Sequence, residues 1–152
     1  MWGFITSVVY TLVREKLKGG IYGEKIISIE EDTFESSKGC GHYDGFNIVT
    51  DKQTIKLGIS NEQNCCENWG YFLSEDNPVD FLGSELLRIE VTDTSLNKSN
   101  LPEYGLDEGD VMFIDLVTSK GVLQFAAYNE HNGYYGHEAV VISKQLNLTE
   151  YL

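Results

Sequence analysis

Val111 to Leu146 reads VMFIDLVTSKGVLQFAAYNEHNGYYGHEAVVISKQL, and this stretch decides the fold. Two apolar runs flank Ser119-Lys120-Gly121. A third run, Ala139 to Ser143, follows a polar, aromatic, histidine-bearing stretch from Tyr128 to His137. The runs are short, rich in β-branched and aromatic residues, and bounded by turn residues, which predicts strands. The core is expected in the runs and the working surface in the loop between them.

Working outward, Phe46 to Ser60 has the same form. Ile55, Leu57 and Ile59 alternate with Thr54, Lys56 and Gly58, and Asp51-Lys52-Gln53 supplies a turn. Glu85 to Thr94 predicts a half-buried strand, with Leu87, Ile89 and Val91 inward and Arg88, Glu90 and Thr92 outward. Lys25 to Ile29 is a short strand candidate. Cys40 lies in a glycine-marked loop from Gly39 to Gly45, and Asn64 to Tyr71 reads as a second unusual loop. Asn77 and Pro78 suit the cap and first position of a helix of one or two turns. The longest loop is expected over Asn97 to Asp110. Trp2, Ile5, Val8, Val9 and Leu12 recur at helical spacing, with Arg14, Lys16 and Lys18 before Gly19-Gly20. The expectation is therefore a mainly β chain, an antiparallel sandwich or strongly bent sheet built around two related hairpins. An N-terminal helix from Trp2 to Lys18 supplies a minor α component. Residues 1–152 read as one domain: N-terminal helix 1–20, β core 25–146 and tail 147–152.

The two hairpins align without a gap at an offset of 68. Ile48-Val49-Thr50-Asp51-Lys52 falls over Leu116-Val117-Thr118-Ser119-Lys120. Ile55 and Leu57 fall over Leu123 and Phe125, and Asn61-Glu62-Gln63-Asn64 over Asn129-Glu130-His131-Asn132. Such a pair predicts pseudo-symmetric hairpins whose following loops leave equivalent strand ends.

The chain holds 24 acidic and 11 basic residues, a net charge of −13. Nucleic-acid affinity comes largely from Lys and Arg, so direct nucleic-acid binding is not expected. An acidic mimic of DNA, or an inhibitor of another protein, is the alternative use of such charge. Three cysteines, two of them adjacent, make a poor disulfide framework and suit free thiols in a reducing, cytoplasmic setting. The apolar N-terminus lacks the positive region and cleavage site of a signal peptide and is too short to span a bilayer. Its apolar face predicts docking on the core or a homo-oligomer, the alternative being an interfacial membrane anchor, and no membrane partner is expected.

The two unusual loops hold the chemistry. Cys65, Cys66, Glu67, His131 and His137 are zinc-type ligands, but adjacent cysteines on an extended chain face opposite ways, so no metal site or cofactor is expected. A Cys/His or metal-dependent hydrolase remains an alternative; it needs a thiol, an imidazole and an oxyanion hole to meet. A binding surface fits the residue types better. Tyr128, Tyr134, Tyr135, Trp69 and Tyr71 offer flat ring faces with low ordering cost, and Asn129, Asn132, His131 and His137 read donor and acceptor edges. With Cys66 and Glu67, these form the candidate site for a planar small molecule such as a nucleobase stacked between rings; no residue is assigned a catalytic role. The competing reading is that Asn132-Gly133 makes an ordinary hairpin turn and the tyrosines cap a sheet end.

The motifs Cys65-Cys66-Glu67-Asn68-Trp69-Gly70 and Tyr128-Asn129-Glu130-His131-Asn132-Gly133-Tyr134-Tyr135-Gly136-His137 resemble those of a family of small phage and prophage proteins. The resemblance runs from about Phe46 to Lys144. It implies a phage protein acting in the bacterial host cytoplasm. By analogy of setting, it also implies a counter-defence factor that sequesters a nucleotide-type immune signal.

Overall fold

A computed structural model describes residues 23–36, 41–63, 68–96, 109–130 and 137–152. The expected helix from Trp2 to Lys18 lies outside them. Among the described residues, nine strands follow in order: β1 Glu24–Glu35, β2 His42–Thr50, β3 Thr54–Ser60, β4 Asn68–Leu73, β5 Glu85–Thr92, β6 Gly109–Thr118, β7 Gly121–Glu130, β8 Glu138–Ile142 and β9 Asn147–Tyr151. They form one antiparallel sheet in the order β4-β7-β6-β5-β1-β2-β3-β8-β9.

Several boundaries differ from the sequence reading because backbone pairing outweighs composition; His42–Gly45 and Gly109–Asp110, both expected as loop, open β2 and β6, where they pair with β1 and β7. β1 continues through the polar stretch Glu30–Glu35, since β2 pairs with it as far as Glu35. Asn68–Tyr71, expected as loop, belongs to β4, and Tyr128–Glu130 belongs to β7, because these two stretches pair with each other. The tail 147–152 contains β9, an edge strand on β8. After Pro78 the chain makes only a 3-10 turn, Pro78–Phe81, and the Asn77 side chain forms no cap hydrogen bond.

The half built from β5, β6, β7 and β4 repeats the half built from β1, β2, β3 and β8. At the offset of 68, the pairs Leu57↔Val141, Gly58↔Val140 and Ile59↔Ala139 become Phe125↔Leu73, Ala126↔Phe72 and Ala127↔Tyr71. Strand β4 therefore follows β3 in sequence but pairs with β7, while β8 follows β7 and pairs with β3. The halves exchange their fourth strands. Ladder irregularities also match, at Ile26/Ser28 in β1 and Leu86/Arg88 in β5. That bulge buries both Leu86 and Leu87 and leaves Val91, expected inward, 46% exposed.

The hairpin turns match atom for atom. Thr50 Oγ1 accepts from Lys52 N at 3.1 Å, and Thr118 Oγ1 accepts from Lys120 N at 3.2 Å. Asp51 N donates to Lys25 O, and its side chain accepts from Lys25 N at 2.9 Å. Ser119 does the same with Glu85, its Oγ accepting from Glu85 N at 2.9 Å. Gly121 closes the second turn at φ 131°, a backbone region that side chains disfavour. One cluster joins Ile26, Ile48, Ile55, Leu57 and Ile59 to Leu86, Ile114, Leu116, Leu123 and Phe125, so the sheet folds back and both halves share a core.

Candidate functional site

The sequence-predicted loops are set by one short ladder. Asn68 pairs with Glu130 and Trp69 with Asn129. Residues 64–67 lead directly into this end of β4, and residues 131–136 follow this end of β7. Both motif stretches thus meet the described chain at one corner of the sheet.

Three candidate residues come together there. The rings of Trp69 and His137 stack at 5.3 Å between centroids and 22° between planes. These two residues are themselves separated by the offset of 68, so each occupies the same place in its half. Trp69 Nε1 donates to Gln63 Oε1 at 2.9 Å. His137 is 2% exposed and exchanges two backbone hydrogen bonds with Leu152, each 2.8 Å. Its Nε2 lies 2.7 Å from Ser60 O. A carbonyl oxygen only accepts, so this nitrogen carries the proton. Asn129 is fully buried and donates from Nδ2 to Leu152 O at 3.1 Å. His137 and Asn129 therefore fasten Leu152, just after β9, to the corner, which reading the motif as exposed loop does not anticipate. Gln63, Ser60 and Leu152 complete this arrangement; only Gln63 carried a sequence signal, through the repeated Asn-Glu-x-Asn.

Tyr71 sits two residues further along β4 on the same face. Its ring lies edge-on to Phe46 and tilted against Phe125, and its hydroxyl donates to Glu31 Oε1 at 2.5 Å. Burial, then the bond to Glu31, pushes its hydroxyl well above the usual tyrosine range. Tyr128 is not on this face. Side chains alternate along a strand, and Tyr128 stands opposite Gly70 on the outer face of the sheet. A Cβ at Gly70 would run into its hydroxyl. Cys66, Glu67, His131, Asn132, Tyr134 and Tyr135 lie outside the described residues. Among the described residues, no three His, Cys, Asp or Glu side chains group as a metal site, and no helix is long and apolar enough to cross a membrane.

The chain belongs to the DUF7448 family, a domain of unknown function whose model matches residues 20–141. That span opens just before β1 and ends within β8. No curated protein and no solved structure matches the chain.

Proposed function

We propose that this chain is a non-enzymatic binding protein that holds a small planar ligand of nucleotide type at the Trp69–His137 corner. The observation that carries this reading is the Asn68–Glu130 pairing, which joins both motif stretches to one corner of the sheet. Trp69 is only partly buried there, and one of its ring faces is backed by His137. A backed ring is a pre-positioned stacking platform, because little ordering remains to be lost on binding. Recognition fits better than general-base catalysis by His137, whose Nε2 proton is directed at Ser60 O. In this reading Tyr134 and Tyr135 supply further stacking faces, and Asn132 and His131 read the ligand's edge.

The resemblance to phage proteins gives the proposal its setting: sequestration of a nucleotide immune signal in the host cytoplasm, by a homo-oligomer formed through the apolar N-terminal face. A thermal-shift screen of cyclic nucleotides and ADP-ribose derivatives tests it. A bound nucleotide raises Tm, and Trp69→Ala, Tyr134→Ala or Tyr135→Ala each weakens binding by about 1–3 kcal/mol. If no nucleotide shifts Tm, the ligand class is wrong. If one binds and all three variants bind it unchanged, the corner is not its site.

A further inference from the structure

The outer face of the β1-β2-β3-β8-β9 half carries a cavity of about 380 Å³, lined by Ser36, Tyr43, Glu138, Asn147 and Thr149 over an apolar floor that includes Val140 and Ile142. Its polar groups are joined. The Tyr43 hydroxyl donates to Glu138 Oε1 and is also hydrogen-bonded by Ser36. Phe34 and Tyr43 pack beside it with Val140 as a second, smaller apolar cluster. A Cβ at Gly58 would come within 2.7 Å of the Phe34 ring and 3.0 Å of Tyr43 Cβ, so that glycine is what admits them.

The other half shows that the ladder does not oblige a cavity to form here. At the offset of 68, Glu138 corresponds to Gly70, Val140 to Phe72 and Ser60 to Tyr128. There the Tyr128 ring lies over Gly70 and 6.4 Å from Phe72. The rings of Tyr128 and Phe72 cover the sheet there, over the bare backbone of Gly70. In the cavity half the same positions hold a carboxylate, a small apolar residue and a serine. Burial, and then the bond to Glu138, raises the Tyr43 hydroxyl above its usual range, so it remains a donor.

We infer that this cavity is a second ligand site, separate from the Trp69–His137 corner, and that it takes a small organic cation: an amidinium or ammonium group on an apolar body. Glu138 is half-buried and, among the described residues, forms no ion pair. A carboxylate offers about four acceptor positions, of which Tyr43 uses one. A planar amidinium can take two of the others while its ring lies on Val140 and Ile142. The net charge of −13 favours cation approach from a distance. His137, one residue earlier, turns to the opposite face, so the two sites do not share side chains.

Benzamidinium, with neutral benzamide as its near-isostere, is the probe. Titration of the full chain, followed by calorimetry and amide chemical shifts, should show saturable benzamidinium binding at least tenfold tighter than benzamide. Glu138→Gln keeps an acceptor for Tyr43 but removes the charge, and should cost at least tenfold. Thr149→Trp, at an exposed position on β9, should block the cavity while leaving the fold and the charge in place. Shifts should centre on β2, β8 and β9. Absence of saturable binding overturns the inference, as does equal affinity for benzamide or binding that survives both variants. None of these results depends on whether a nucleotide binds the corner.

Discussion

The half built on β1, β2, β3 and β8 and the half built on β5, β6, β7 and β4 differ far more on their outer faces than on their inner ones. Inward, Leu57 answers to Phe125, Ile55 to Leu123 and Ile48 to Leu116, and all six are fully buried in one core. Outward, a tyrosine covering a glycine in one half stands where the other has a serine beside a carboxylate. Shared turns, bulges and strand registers survive this difference. Inner-face packing and turn hydrogen bonds therefore define the ladder, and the outer face is left open to specialise. This is the physical basis for reading the Tyr43–Glu138 cavity as a built site rather than a packing defect.

The largest expected effect tests whether the halves really share a core. Phe125→Ala should destabilise by about 3–5 kcal/mol and its counterpart Leu57→Ala by about 2–5 kcal/mol. Urea unfolding of each should remain one transition. Two separate transitions would mean that the halves are independent bodies and would break the comparison.

Next come the matched turns. Thr118→Val removes a hydroxyl that donates to Gly121 O at 2.7 Å and accepts from Lys120 N, and should cost about 0.5–1.5 kcal/mol. Thr50→Val should cost more, about 1–3 kcal/mol, because the Thr50 hydroxyl directs its one proton at the buried carboxylate of Glu24, at 2.8 Å, where Thr118 donates to a backbone carbonyl. Equal costs from denaturant melts would show that the Glu24 contact adds nothing.

At the corner, a double-mutant cycle on Trp69→Ala and His137→Ala should return a coupling of about 0.5–1.5 kcal/mol for the stacked pair. Zero coupling would reduce the stack to proximity and remove the platform from the functional argument.

The smallest effect is silent at neutral pH. Tyr71 and Tyr43 both have hydroxyls raised above the usual value, by burial first and by Glu31 or Glu138 second. A folded-state value above the unfolded one of about 10 means stabilisation that is complete below that pH. It is lost as pH rises toward and through the folded values. Phenolate absorbance should show late-titrating tyrosines that disappear singly in Tyr71→Phe and Tyr43→Phe. Uniform titration near the unfolded value would contradict both hydrogen bonds.

Much of this was legible in the residues. The alternation at Ile55, Leu57 and Ile59 and the repeated Thr-x-Lys turn gave both hairpins, because a half-buried strand writes its period into the chain. β4 and β9 were not legible, since Asn68–Leu73 and Asn147–Tyr151 are held at the sheet's two ends by one neighbour each. Their pairing lies in backbone groups, which leave no compositional mark. The exposed end of β1 was hidden for the same reason. Within the site, the correspondence of Trp69 to His137 followed from the offset of 68, but equal places in two halves do not by themselves make two rings meet. The burial of Asn129 and His137 did not, because their partners are the carbonyls of Leu152 and Ser60, and a carbonyl is present at every position. The Tyr43–Glu138 pair joins residues 95 apart and had no local signature at all.

The strand exchange has a consequence for how fast the molecule can form. Neither half can finish its own sheet, because the strand that completes it is encoded beyond or within the other half. Local contacts in the two hairpins can be gained early, but closing β4 on β7 joins residues 52 to 62 apart and closing β8 on β3 joins residues 80 to 86 apart. An all-β fold that includes such distant pairings has a high contact order, and refolding is expected in the range of about milliseconds to seconds. The same interlocking slows escape, since pulling out one fourth strand opens the sheet edge of the opposite half.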